Sequence, residues 1–531
     1  MASRVKFGIF SGYDPRPWVM KECAANDIKV LERLIKDLSK TKNIQLVFPG
    51  AKLPGYDKLC YTMDLCERYA AEFARHKLAG IINVHPTWTF PQLSQKVLAS
   101  YISKMKSKDA GFSARVLLAS IQDTTVPGMV SGMATAGALG QNGIPFSHLY
   151  GDFTSRATLS DMREILDLFA MRQRDEKKAD RVVGALHKLH VLEFGSLSLQ
   201  MPTTRINQEE LMARWGISSE NLDQQVFLDR AFNMFRWEGE PGKSRILKIT
   251  DSYVARVVAG VYDRHPGKFK IIKDRNVSRD KFALQVAMYR AIQQLAKEKG
   301  ASAVTVKCQD ECSSIYATCC IATSYLGNDT DPLGVKKKPI PISCETDLPT
   351  LYSQYLLQEV SGKPSGFGDF RYVKTGRNGK TLLAIVNCGQ HPLYYAGLES
   401  DTIARKLKHV EYPGQEHFYA AGGAAVRMRT AGGQRLTVAR LGVENGRLYL
   451  AATVMDTVDV SPTRHKSYNQ AWPIIEGYVP VTDKVLGREW PSNHLGFAYG
   501  DHIAVLIEVA EKMGIGYKVW DASGNEFHQP A

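Results

Sequence analysis

The chain has 531 residues and a mass of 59.1 kDa, too long for one ordinary domain and pointing to two or three. Hydrophobic residues make up 44% and charged residues 23%, proportions that exclude a disordered, collagenous or coiled-coil protein. Lys plus Arg number 68 against 54 Asp plus Glu, and this formal charge of +14 is spread along the chain: it reads as a surface bias and leaves an anionic substrate open.

The first 170 residues alternate short apolar runs with helical patterns. Strands are predicted at Val5–Phe10, Ile44–Phe48, Gly80–Val84, Arg115–Ile121 and Ile144–Leu149. Helices fall between them at Val19–Ser39, Asp57–Lys77, Gln92–Lys106 and Val126–Leu139. That alternation indicates a doubly wound parallel sheet, whose ligands sit beyond the carboxyl ends of the strands. A charged helix, Thr158–Val182, leads into a second α/β unit with strands at His190–Leu192 and Ala303–Val306 and helices at Asp251–Tyr262 and Arg279–Glu298. After about residue 360, Asn378-Gly379 and Asn445-Gly446 each sit between alternating strands, the strongest short hairpin signal. The expected architecture is therefore two doubly wound, Rossmann-like α/β domains (1–170 and 171–350) and a mainly antiparallel, barrel-like domain (351–531) that finishes with a helix near Asp501–Lys512.

No run of about twenty apolar residues offers a membrane span, and the N-terminus enters its first strand without an apolar signal segment. Nine irregularly spaced cysteines fit reduced thiols in a cytoplasm. Nucleic acid is not an expected partner, since the basic residues form no stripe interleaved with aromatics; the run Lys336-Lys337-Lys338 reads as a solvated loop.

Three segments carry chemistry. Lys307-Cys-Gln-Asp-Glu-Cys312 follows a strand and opens a helix, which puts Asp310 and Glu311 at a strand's carboxyl end; helix-start acids complementing the dipole are the plain alternative. Cys344-Glu345-Thr346-Asp347 lies between strand Ile340–Ser343 and helix Leu348–Val360, where Asp347 reads as an N-cap or as a site residue. Neighbouring strands would bring the carboxylates at 311 and 347 together, as hard ligands for a divalent cation or as an acid/base pair. Trp490-Pro-Ser-Asn-His494, running on to His502, adds imidazoles beside Gly-rich turns; a lone histidine, His85 included, is more often structural. Cys308, Cys312, Cys319 and Cys320 read as apolar packing, because one strand–helix segment cannot aim four thiols at a single ion. The loop around Gly195 lacks the spacing of a nucleotide signature.

Taken in order, these segments resemble the L-fucose isomerase family. Asn493-His494-Leu-Gly-Phe-Ala-Tyr-Gly-Asp-His502 is similar to its Asn-His-Gly…Gly-His run, Cys344–Asp347 to its Glu-Asn-Asp element, and Glu311 to its Glu ligand. Phe194–Met201, Gly366-Phe-Gly-Asp-Phe-Arg371 and Asn387-Cys-Gly389 are similar to further segments, while Asp14-Pro-Arg16 and Pro86-Thr-Trp88 occupy the places of a substrate-contacting Arg and a Trp lent to a neighbouring subunit. An inserted loop, Gly327–Lys338, departs from the pattern.

The resemblance implies an aldose–ketose isomerase that takes a monosaccharide of L-fucose or D-arabinose type through an enediol. It further implies Mn²⁺, or another divalent metal, held by Glu311, Asp347 and His494, with Glu311 and Asp347 also moving protons. Arg16, Trp88, Gln309, Trp472 and Asn493 would contact substrate, and the assembly would be a homo-oligomer, a hexamer by family likeness. Two alternatives stand beside this: an isomerase of a sulfonated or phosphorylated aldose, and a non-catalytic sugar-binding protein.

Overall fold

The computed structural model describes residues 4–41, 43–109, 112–271, 277–376, 380–416 and 418–529. The chain divides into two units, 1–177 and 178–531.

In the first unit five strands form one parallel sheet in the order Ile44–Val47, Val5–Phe10, Leu78–His85, Val116–Ile121, Ser147–Gly151. Strand Leu78–His85 is buried along its whole length, as expected of a parallel strand covered by helices on both faces. Separate apolar clusters fill the two faces, one built around Phe7, Leu31 and Leu166, the other around Phe10, Tyr69 and Leu118. The strand order reverses between Val5–Phe10 and Leu78–His85, so the turns that begin at Ser11 and Pro86 stand at the topological switch point.

The second unit holds two sheets. A four-stranded parallel sheet runs Ile342–Cys344, Ala303–Val306, His190–Phe194, Ser218–Leu222. Beside it, six antiparallel strands close into a barrel in the order Arg435–Glu444, His494–Tyr499, Gly366–Thr375, Thr381–Val386, Ile474–Val479, Arg447–Val458, the last pairing back on the first. Closure leaves the barrel without an unpaired edge. Helix Leu348–Ser361 is buried nearly all round, as a helix packed between layers must be.

The hairpin at Asn445-Gly446 forms as expected: both residues have positive φ, 51° and 77°, and Glu444 faces Arg447 across the turn. Strands Gly366–Thr375 and Thr381–Val386 pair as the other hairpin signal requires, although Asn378-Gly379 itself lies outside the described residues. Two expectations need correction. The chain does not finish with a helix, because after Ile503–Met513 the left-handed Gly514 turns it into strand Gly516–Trp520, parallel to Arg447–Val458, and then into Glu526–Gln529. Nor is the basic run wholly solvated: Lys336 is 80% exposed, but Lys337 is half-buried and donates to the carbonyls of Leu326 and Asn328 at 2.7 and 2.5 Å. Burial lowers Lys337 from 10.5 to about 8.

Candidate active site

The second unit brings strand ends from its two sheets to one place. From the parallel sheet, strand Ile342–Cys344 turns into helix Leu348–Ser361 through Glu345 and Thr346, both at positive φ (58° and 48°). Left-handed backbone is unusual for a β-branched residue such as Thr346, and strained turns of this kind are concentrated at functional sites. The Thr346 hydroxyl donates to Ser196 O at 2.5 Å and the Ser343 hydroxyl to Asp347 O at 2.8 Å, which fixes the turn.

Asp347 caps the helix, as one reading of the sequence allowed, and also pairs with residues of the barrel. One carboxylate oxygen accepts from Thr350 N at 2.8 Å and caps the helix, where the dipole favours its charge. The other accepts from Arg440 Nη1 at 2.8 Å and His494 Nδ1 at 2.6 Å. The barrel supplies these partners. His494 opens one strand, and Asp369 lies directly across from it on the next. The other imidazole nitrogen, Nε2, stands 3.1 Å from Glu345 Oε2 and 3.1 Å from Asp369 Oδ1. Arg440, with a side chain 1% exposed, also donates to Thr350 Oγ1 and to Thr203 O.

Three carboxylates therefore surround one imidazole and one guanidinium, leaving one negative charge uncompensated. Burial opposes charging His494, but Asp369, Asp347 and Glu345 outweigh it and raise the imidazole well above its ordinary 6.5. Burial likewise opposes ionising Asp347, and the Arg440 guanidinium with His494 overrides it, holding the carboxyl down to about 2.

Two expected substrate contacts reach this cluster. Gln309 Nε2 donates to Glu345 Oε1 at 3.2 Å, and Asn493 Nδ2 to Asp369 Oδ1 at 3.1 Å. Trp472 donates through Nε1 to Gln415 Oε1 at 2.7 Å, and Arg371 lies 5.7 Å over its ring. Glu311 is placed differently. Its carboxylate is 51% exposed and pairs with Lys307 Nζ at 2.6 Å; burial pushes it up, yet Lys307 holds it below its ordinary value. No hydrogen bond or ion pair joins Glu311 to Asp347 or His494 among the described residues, and among those residues no group of three or more His, Cys, Asp or Glu side chains is arranged to hold a metal ion. Arg16 and Trp88 belong to the first unit. Arg16 Nε bridges the buried Asp14 carboxylate at 3.0 and 2.9 Å, with Trp18 and Phe90 flanking the guanidinium; Trp88 is half-buried in the turn after strand Leu78–His85.

Three members of the cluster were not singled out as site residues from the sequence. Glu345 shares the tetrapeptide that pointed to Asp347, and Asp369 lies in Gly366–Arg371, so motif context held both. Arg440 had a fainter signal, a charged residue on the same strand face as Leu436 and Val438, both fully buried. The clustered cysteines lie in the core, as the packing reading expected. Cys308, Cys312, Cys319 and Cys320 pack in the core with Cys344 and Cys388, and thiol–thiol hydrogen bonding and burial push Cys308 well above its ordinary 9.0.

The donors fit a hard divalent cation in kind: carboxylate oxygens and an imidazole are what Mn²⁺ or Mg²⁺ accepts. They also fit a bound polyol, because carboxylates and amides at a buried strand end accept from and donate to hydroxyls. Among the described residues, no helix is long and apolar enough to cross a membrane. Two family models match the sequence: L-fucose isomerase, first N-terminal domain, over residues 4–167, and L-fucose isomerase, C-terminal domain, over residues 385–521. Together they span more than half of the 531 residues. No curated protein matches the chain.

Proposed function

Because the chain belongs to the L-fucose isomerase family and is an aldose–ketose isomerase, we propose that it interconverts a neutral monosaccharide of L-fucose or D-arabinose type through an enediol, with a divalent metal, at the Asp347–His494 cluster. The observation that carries this reading is the meeting of Glu345, Asp347, Asp369 and His494 at the junction of the barrel and the parallel sheet. Family membership sets aside the non-catalytic sugar-binding alternative.

Asp347 and His494 would hold the metal, Mn²⁺ by preference, once the imidazole gives up the extra proton its carboxylate partners stabilise, and Glu311 would join them on leaving Lys307. The bound cation supplies Lewis-acid polarisation of the sugar carbonyl. The protein's own groups do the rest. Asp347, capped by Thr350 N and clamped by Arg440, stays ionised and orients the imidazole. With three donors on its carboxylate and its carboxyl held down to about 2, it is a positioning group more than a base poised for neutral pH. Glu311 is the exposed carboxylate able to take the proton from the carbon beside the carbonyl, and Gln309 and Asn493 offer amides to sugar hydroxyls. Arg16 would contact substrate, and Trp88 would act across a subunit boundary in a homo-oligomer, hexameric by family likeness. Free thiols at all nine cysteines are compatible with a cytoplasmic setting.

The formal charge of +14 favours a second reading, a sulfonated or phosphorylated aldose as substrate. Neutral and anionic aldoses assayed for ketose formation decide between the two. In the same assay, prolonged chelation should remove activity and added Mn²⁺ restore it; full turnover by metal-free protein would end the metal-assisted scheme.

A further inference from the structure

Among the described residues the loop Gly327–Lys338 makes no hydrogen bond or ion pair to the Asp347–His494 cluster, yet it is firmly built. Asp331 accepts from the backbone amides of Leu333 and Val335 at 2.9 and 2.8 Å and from Tyr253 OH at 3.1 Å. Asn328 Oδ1 accepts from Tyr394 N at 3.0 Å, and Lys337 ties the loop's base to Leu326 and Asn328. A loop pinned this often is a wall.

That wall closes one side of a cavity of about 670 Å³ that shares no lining residue with the Asp347–His494 cluster. The π-helical turn Val258–Asp263 forms a second side and helix Ile403–Lys408 a third. Segments 268–270 and 412–414 are zipped by Tyr412 N to Lys268 O at 2.8 Å and Gly414 N to Lys270 O at 3.1 Å, so the floor is also preformed. The volume lies within the range of about 300 to 1,000 Å³ typical of small-molecule sites.

The lining is divided by chemistry. Val261, Leu333, Ile403 and Leu407 are half-buried and apolar, and the buried phenols of Tyr325 and Tyr412 meet at 3.3 Å beneath them. Charge sits at the rim and does not balance there. The two acids are already engaged: Asp331 as above, and Glu411 by Arg427 at 2.9 Å. Lys268 is occupied by the carbonyls of Leu407 and Val410. Lys270 and Lys408 are exposed lining residues, and neither has a carboxylate partner among the described residues.

A preformed apolar cavity lined by exposed ammonium groups that have no carboxylate partner among the described residues selects a ligand that is anionic at one end and apolar along its body. We propose that this cavity binds one small amphipathic anion, its acidic group between Lys270 and Lys408 and its apolar body against Leu333, Ile403 and Leu407. This site is separate from the isomerisation site and stands whether or not the substrate assignment above is right.

The probe is 8-anilinonaphthalene-1-sulfonate, titrated against the full chain by fluorescence, with decanoate, decyl phosphate and decanol as competitors. The expected result is one saturable site per chain, displaced by decanoate or decyl phosphate and at least about tenfold less well by decanol, since losing an ionic contact of about that strength changes affinity by a decade. Relative displacement by the two anions distinguishes a carboxylate from a phosphate headgroup. Lys270→Glu/Lys408→Glu should weaken the probe about tenfold with the melting temperature kept, Ala404→Trp should block it sterically, and Lys336→Glu, on the same loop but outside the lining, should change nothing. Equal displacement by decanol, unchanged affinity in both cavity variants, or a signal that follows self-association in sedimentation would overturn the proposal.

Discussion

Two buried histidines, one in each unit, make an instructive pair. His85 closes strand Leu78–His85 at 0% exposure, and His494 opens strand His494–Tyr499 at 1%. Their burial is the same, but their pKa values shift in opposite directions. Among the described residues His85 Nδ1 meets only the hydroxyls of Thr89 and Ser131, each at 3.0 Å, so burial prevails and lowers the imidazole to about 3. His494 meets three carboxylates, which overcome the same desolvation. Position at a strand end is therefore not what makes a site. The partner set decides, because hydroxyls satisfy a hydrogen bond without stabilising a charge, whereas carboxylates do both.

The largest expected effect breaks the charged side of this pair. His494→Gln keeps the size of the side chain but removes the imidazole that joins Asp347 to Glu345 and Asp369, and kcat should fall by about a thousandfold or more. Steady-state kinetics with the preferred aldose, alongside near-ultraviolet circular dichroism, checks it. Retention of more than a tenth of the wild-type kcat would show that His494 organises the fold and leaves the chemistry elsewhere.

Arg440→Met tests whether the cluster is held together by paired charges. Asp347, 0% exposed, would lose the guanidinium that balances it, and removing one member of a buried pair typically costs about 3 to 5 kcal/mol. Urea unfolding measures the loss. Arg440→Met/Asp347→Leu should recover part of it, because neither charge is then left unpaired; a double variant less stable than the single one would refute the pairing.

The neutral side of the comparison is sharpened by acid. The folded value of His85 is depressed from 6.5 to about 3, so below pH 6.5 the unfolded chain binds a proton that the folded chain refuses. Stability must therefore fall as pH drops through that window, by about 3 kcal/mol at pH 4. His494 has the opposite sign: its folded value is raised, so its contribution is complete below 6.5 and is lost only as pH rises through the folded value. Melting curves of wild type and His85→Gln from pH 7 to pH 4 separate the two histidines. Parallel curves would mean that His85 is protonated in the folded state.

Much of this architecture was legible because parallel and antiparallel strands leave different marks. The largely apolar run in Leu78–His85 and the Asn445-Gly446 turn are local facts, and local facts survive folding. Asp347 and His494 were legible through their motifs and Asn493 through its neighbour. Arg440 was not, since its partner lies 93 residues away and only the closing of the barrel brings them together. A barrel-like domain and the Arg435–Glu444/Arg447–Val458 hairpin were legible, but the strand that closes the barrel was not: pairing of Arg435–Glu444 with His494–Tyr499 depends on sheet curvature and register, which no single strand encodes. Lys337 escaped for the same reason, its acceptors being carbonyls that exist as a pair only in the folded loop.

The smallest expected effect on the fold falls at Glu311, and that is what makes it informative. Its pair with Lys307 has the 2.6 Å length of a strong contact, yet the carboxylate is half in solvent, where side-chain entropy and screening leave such pairs within about 0.5 kcal/mol of nothing. Glu311→Gln should therefore melt with the wild type while turnover is abolished, a dissociation that Arg440→Met cannot show. The contrast follows from placement: a residue that must reach a substrate cannot also be locked into the core, whereas Asp347 can anchor a helix, a guanidinium and an imidazole because its task is to stay still. If Glu311→Gln costs more than about 1 kcal/mol, the side chain is bound into the buried cluster in solution; if turnover persists at near wild-type rate, the proton moves through another carboxylate, with Glu345 and Asp369 the next to test.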